Sequence, residues 1–153
     1  MSNLTTNYNF LSPTGFKLVI NRNRFANLEY FVTSITLPSL NVGSIDLLKN
    51  QYRGYVQGDV TVEELSVRVA IDEDMKVYTE LFDWIAENRD TINPLSYDAT
   101  LFILTSHNNP NKTIRFKNLS PTTVGSLEFS TQSSDIEYLQ ADISFRYDEF
   151  EFV

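Results

Sequence analysis

Apolar and polar side chains alternate one for one along most of this chain, a period that suits a strand with one buried face and little else. Leu65, Val67, Val69 and Ile71 fall on one side, and Glu64, Ser66, Arg68 and Ala70 on the other. Phe16, Leu18 and Ile20 repeat the pattern, as do Ile114 and Phe116 between Thr113, Arg115 and Lys117. It returns at Leu139, Ala141, Ile143, Phe145 and Tyr147 against Gln140, Asp142, Ser144, Arg146 and Asp148. Such alternation belongs to antiparallel sheets with one wet face. Further strands are expected at Leu28–Leu37, Thr100–Thr105 and Val124–Thr131, with the turn-rich HNNPNK as a hairpin connection. Eleven Phe and eight Tyr suit half-buried pleated surfaces.

One segment has another period. Tyr78, Leu81, Phe82 and Ile85 follow helical spacing, which predicts a helix over 74–88. Asp72 or Asp74 can cap its start, and Asn93-Pro94 lies beyond its end. The expectation is a mainly β (β+α) protein, an antiparallel β-barrel or sandwich with one flanking helix. With 153 residues, and no repeat or linker to divide it, the chain reads as one domain over 1–153. Residues 1–13 read as a short polar N-terminal arm.

Residues 38–59 fit neither period. Pro38, Gly43, Gly54 and Gly58 are scattered among Leu40, Val42, Ile45, Leu47, Leu48, Tyr52, Tyr55 and Val56. A long irregular connection is unusual in a compact domain. So much apolar side chain on an extended arm points to an inter-subunit contact made by those eight residues.

The charge argues against several classes of partner. Twelve Lys and Arg against twenty Asp and Glu leave a formal charge of −8 with no basic cluster, which disfavours nucleic-acid binding. No apolar run is long enough to span a membrane, and the first residues lack the pattern of a secretory signal. The chain has no cysteine, which removes disulfides, thiolate metal sites and Cys nucleophiles and fits a reducing cytoplasm.

Catalytic chemistry finds little support. His107 is the only histidine and sits in a turn-rich loop without a second ligand, so it reads as an exposed polar residue. Asp72, Glu73 and Asp74 could attract a hard cation, but they lack calcium-loop spacing and directly precede the helix, where capping explains them. Asp148, Glu149 and Glu151 read as an acidic strand end rather than a paired-carboxylate site. Neither phosphate-binding glycine motif is present, and Gly125-Ser126 lies in no nucleophile elbow. No catalytic residue, cofactor site or metal site is assigned. In NLSPTTVGSLEFS, Pro121 and Gly125 read as a structural corner that turns the chain between Lys117 and Leu127. Val124, Leu127 and Phe129 then re-enter the core as a strand.

Several fragments taken in order carry a resemblance. FKLVI is followed by SITLPSL, by YVQGDVTVEELSVRVAIDED, by a helix holding LFDWI, then by LSPTTVGSLEF and IEYLQADISFRYDEF. This series, from about Phe16 to Phe150, resembles the tail tube proteins of contractile-tailed bacteriophages. The family is in turn similar to the type VI secretion tube and to baseplate tube-initiator proteins. The resemblance implies a non-enzymatic virion protein, assembled in the host bacterial cytoplasm, whose hexameric rings stack into a hollow tail tube. The implied partners are other copies of the chain, the tail sheath, and the tube-initiator, tape-measure and tail-terminator proteins. DNA would pass through the lumen without specific binding. Six copies at −8 each would bring −48 to a ring, which disfavours sticking by DNA. Glu64, Asp142 and Asp148, on polar strand faces, are the candidates for facing the lumen, and an ordinary solvated outer face explains them as well.

Other readings stay open at this point. A tube-initiating or tube-terminating ring, or the inner tube of a type VI or other contractile injection system, would carry the same fragments. A monomeric β-sandwich ligand-binding module would use Tyr52, Tyr55 and Tyr97 as stacking platforms.

Overall fold

The computed structural model describes residues 9–49, 52–132, 134 and 137–153, with the side chains of residues 49 and 52 outside the description. Among the described residues nine strands and two helices follow the order β1 (Phe16–Ile20), α1 (Ala26–Phe31), β2 (Val32–Thr36), β3 (Leu40–Lys49), β4 (Tyr52–Val62), β5 (Leu65–Ala70), α2 (Lys76–Arg89), β6 (Tyr97–Leu104), β7 (Pro110–Val124), β8 (Gln140–Arg146) and β9 (Glu149–Phe152). Seven strands form one antiparallel system in the order β1-β6-β7-β8-β5-β2, with β9 added beside β7. Among the described residues β1 and β2 do not pair with each other, so the system stays an open sandwich rather than a closed barrel.

The long β7 joins the two halves of that sandwich. Residues up to Leu119 pair with β6, and Ile114 to Lys117 also with β9, whereas Ser120 to Val124 pair with β8. Near the change of partner, at the register shift between the Phe116 and Leu119 pairings, Asn118 has a φ of 54° and bends the chain. Asn tolerates that left-handed backbone better than most residues. Its N–H donates to Asp98 Oδ1 at 3.2 Å, and its amide nitrogen donates to Asp148 Oδ2 at 2.6 Å. The bend thus has its own side-chain support.

The alternation predicted from sequence buries one face of each half. Leu65, Val67 and Val69 meet Ala141, Ile143 and Phe145 inside, beside Leu101, Ile114, Phe116 and Leu119. α2 packs across β7 and closes this core. Its buried stripe is Val77, Leu81 and Trp84, while Phe82 is 60 % exposed, so the expected stripe of Tyr78, Leu81, Phe82 and Ile85 is rotated. Two stripes fit the helical period equally well, and the large Trp84 surface selects the one that buries it. Trp84 stacks on Phe25 at 4.7 Å and meets Tyr97 edge-on at 5.2 Å. Its indole N–H donates to the Leu95 carbonyl at 2.8 Å. Asp72 Oδ1 accepts from the Lys76 N–H at 3.0 Å, one of the capping roles expected there.

Three expectations are corrected. The strand over Leu28–Leu37 is half helix, since Asn21 turns the chain by accepting the Phe25 N–H at 2.8 Å and α1 then spans six residues. One turn and a half is too short to display a period, and among the described residues the helices number two rather than one. No strand covers Val124–Thr131: β7 stops at Val124 and Phe129 is 73 % exposed. Residues 38–59 are not an irregular arm but most of a regular ribbon, β3 paired with β4. The predicted N-terminal arm over 1–13 lies mostly outside the described residues.

Candidate assembly surface

The β3–β4 ribbon differs from every other element in touching almost nothing but itself. Apart from half-buried Gly58, each of its described side chains is exposed. Cross-strand partners share a face, so Leu40 opposite Val62 and Val42 opposite Val60 form an apolar patch near the root. Further out, Ile45 faces Val56 and Leu47 faces Gly54. Val42 and Ile45 are an odd number of residues apart on β3, which puts the outer patch on the opposite face. Both faces of the ribbon are therefore apolar somewhere along its length.

The ribbon's regularity depends on a bulge. Val42 pairs with Val60 but Ser44 pairs with Gln57, so β4 carries one extra residue at Gly58 and Asp59. A Cβ on Gly58 would lie 3.0 Å from the Gly43 carbonyl oxygen, a contact only glycine avoids. Of the glycines that made this segment look irregular in sequence, Gly58 is the one that the close approach of the two strands requires.

Of the eight residues assigned to an inter-subunit contact, Leu40, Val42, Ile45, Leu47, Leu48, Tyr55 and Val56 lie exposed on this ribbon. The side chain of Tyr52 falls outside the described residues. Val60 and Val62 belong to the same surface and were missed, although the alternation of VTV was available as a signal.

The corner residues sit apart from the ribbon. Pro121 pairs with Phe145 at a register shift in β7, a tolerated place for proline in a sheet. The Gly125 N–H donates to the Asp142 carbonyl at 2.7 Å, and a Cβ there would approach that oxygen to 2.9 Å. Asn118, three residues before Pro121, carries the actual bend, and sequence reasoning did not single it out.

The three acidic candidates are not brought together. Asp142 projects from the outer face of β8 and pairs with Arg68 of β5 at 2.7 Å. The hydrogen bond from Arg68 holds its carboxyl below the usual carboxylate range. Glu64 accepts from Thr122 Oγ1 at 3.2 Å on the same side of the sheet, whose outer face also carries Ser34, Thr36, Ser66 and Ser144. Asp148 is engaged at the bend with Asn118. That outer face of β2, β5 and β8 is rich in hydroxyls, and Arg68 offsets Asp142 on it.

The other polar candidates have local explanations. His107 is exposed in the β6–β7 turn, with Nδ1 3.3 Å from Ser106 Oγ. Lys117 holds Glu149 at 2.8 Å and Glu151 at 3.5 Å across β7 and β9. Tyr97 packs on Phe25 and Trp84 and accepts from Arg24 at 2.9 Å, so it shares no platform with Tyr55 on the ribbon. Among the described residues no group of three His, Asp or Glu side chains could hold a metal ion.

Comparison of the fold with solved structures is decisive. A chain of the PVC sheath-tube complex of an extracellular contractile injection system, in its extended state, superposes with a TM-score of 0.77 at 17 % identity, covering 97 % of this chain and 93 % of that one. This chain has the fold of the tube proteins of contractile injection systems. The tube-terminating cap of the anti-feeding prophage is similar at a TM-score of 0.74 and 14 % identity, covering 99 % and 95 %. Hcp1 from Flavobacterium johnsoniae gives 0.57 and 15 %, covering 94 % of each chain. No protein-family model and no curated relative matches the sequence. The fold is thus shared with these structures at 17 % sequence identity or less.

Proposed function

We propose that the protein is a structural subunit of a contractile injection apparatus, whose copies assemble through the β3–β4 ribbon into rings that stack as a hollow tube. The observation that carries this reading is the ribbon itself. A two-stranded hairpin is marginal alone in water, and here it exposes apolar side chains on both faces with almost no support from the other described elements. Such a surface becomes stable when neighbouring copies cover it.

The tail tube of a contractile phage is the specific form we favour, with six subunits per ring, a sheath outside and DNA as the cargo. The charge of −8 on each subunit suits passage of DNA without adhesion. Sheath, baseplate, tape-measure and terminator proteins are the corresponding partners, and the role is architectural rather than enzymatic. A second reading, a ring that terminates the tube, draws support from the near-equal likeness to a tube-terminating cap.

Negative-stain electron microscopy of the purified protein at high concentration tests the proposal. Stacked rings or tubes are expected, and single rings that never stack would favour the terminator. A monodisperse monomer at every concentration would sink both. Shortening the ribbon by removing residues between Leu40 and Val56 is expected to abolish the assemblies and leave a folded monomer.

A further inference from the structure

The connection between β7 and β8 forms a concavity of its own. Its first arm leaves Gly125, whose N–H donates to the Asp142 carbonyl at 2.7 Å, and its second returns through Leu139, whose carbonyl accepts the Ile71 N–H at 2.9 Å. Leu127 packs against the core, so the first arm is anchored beyond its root as well. A cavity of about 990 Å³ is lined by Glu128 and Phe129 from the first arm and by Glu137, Tyr138 and Gln140 from the second. Phe129 is 73 % exposed and Tyr138 83 %. We propose that this cavity binds an organic cation, an ammonium or guanidinium group held against Phe129 and Tyr138 and balanced by Glu128 and Glu137. The site is separate from the ribbon and does not depend on how the chain assembles.

Three observations favour this occupant. The lining carries charge of one sign: it holds two carboxylates and no Lys, Arg or His, and the sequence has none of these between Lys117 and Arg146. Asp142, at the root of the second arm, is met by Arg68, whereas Glu128 and Glu137 make no ion pair among the described residues. The aromatic rings point the same way. A single exposed ring is ordinary, but two of them line this one cavity beside the unpaired carboxylates, and an organic cation is attracted to the electron-rich face of such a ring. Finally, a metal ion is a poorer match. Hard cations take many oxygen ligands and gain nothing from aromatic faces, and among the described residues no group of three His, Asp or Glu side chains could hold one. The volume is that of a small-molecule site.

Equilibrium dialysis of the full-length chain against three probes tests the site: tetramethylammonium, spermidine, and a short peptide with blocked ends and one arginine. Saturable uptake of one cation per chain is expected, with the probes competing for it. Tighter uptake of spermidine would assign the site to a free polyamine, and tighter uptake of the peptide to an arginine side chain of a partner protein. Replacing both rings, Phe129→Ala with Tyr138→Ala, is expected to weaken binding about tenfold. Tyr138→Phe keeps the ring face and should bind like wild type. Glu128→Gln with Glu137→Gln should weaken binding as well and flatten its dependence on salt. Uptake unchanged in the aromatic double variant would overturn the site, because the net charge of −8 would then be collecting cations without it. Absence of saturable uptake for all three probes would overturn it equally. The four substituted side chains are exposed, and melting of each variant at the wild-type temperature checks that the fold survives.

Discussion

The core around Trp84 and the β3–β4 ribbon use the same aliphatic alphabet to opposite ends. In the body, Leu65, Val67 and Val69 alternate with Ser66 and Arg68, and each apolar residue finds a second layer across the sandwich. In the ribbon, Leu40, Val42, Ile45 and Leu47 alternate as well, but the bulge region separates patches on opposite faces, and among the described residues neither has a layer of its own chain above it. An apolar face is buried only when the topology brings a partner. Where the topology stops at two strands, the described residues of the chain bring no such partner.

That contrast predicts a sharp division between what folding needs and what assembly needs. The largest loss of stability is expected for Trp84→Ala, which empties the centre of an aromatic cluster. Truncations of this kind cost about 3–5 kcal/mol, and urea denaturation should show the midpoint falling accordingly. Gly125→Val comes next. Its side chain would press against the Asp142 backbone, and overpacking of that order costs about 1–3 kcal/mol. A variant with wild-type melting and normal assemblies would show that the strand end yields more easily than its geometry indicates.

A smaller effect tests the join between β1 and α1. Glu29 accepts from Lys17 at 2.6 Å and Arg22 at 3.1 Å with a side chain only 7 % exposed. Burial pushes its carboxyl up, but the hydrogen bonds from Lys17 and then Arg22 outweigh it and hold the group below its ordinary range. A carboxyl depressed on folding stabilises fully above its unfolded pKa, and that contribution fades as pH falls through the lower folded value. Glu29→Gln should therefore cost about 1 kcal/mol at neutral pH. The gap from wild type should close in strong acid, as followed by thermal melting across pH.

The smallest change in stability is expected in the ribbon. Ile45→Ser together with Val56→Ser removes exposed apolar groups, and surface changes of this kind usually stay within about 0.5 kcal/mol. Yet sedimentation should show rings and tubes replaced by monomer. Loss of stability comparable to Trp84→Ala would mean that the ribbon belongs to the core after all, and the division between the two regions would fail.

Much of this division was legible beforehand, for reasons that differ by region. The long alternating runs in β5, β7 and β8 state their inner faces outright, because a strand's period is too short to misread over six residues or more. The helix was legible as an element but not in its rotation, since Leu81 belongs to two possible stripes and only the fit of Trp84 against Phe25 and Tyr97 chooses between them. α1 escaped detection because six residues show no period. The ribbon was recognised as an apolar outlier, while its regular pairing was hidden by its glycines, of which Gly58 serves the bulge. At the corner, Pro121 and Gly125 drew notice as turn-prone residue types, whereas Asn118 carries the bend through contacts with Asp98 and Asp148 from distant parts of the chain.

The sequence by itself determined the antiparallel β class, the place of the main helix and the segment whose apolar residues lack a home in a single domain. These follow from periodicity and composition, which are local. Only the tertiary structure decided that the homeless segment is a two-faced ribbon and that Arg68 stands against Asp142. Each of these depends on residues far apart in the chain meeting in one register, and register is set by the whole sheet at once.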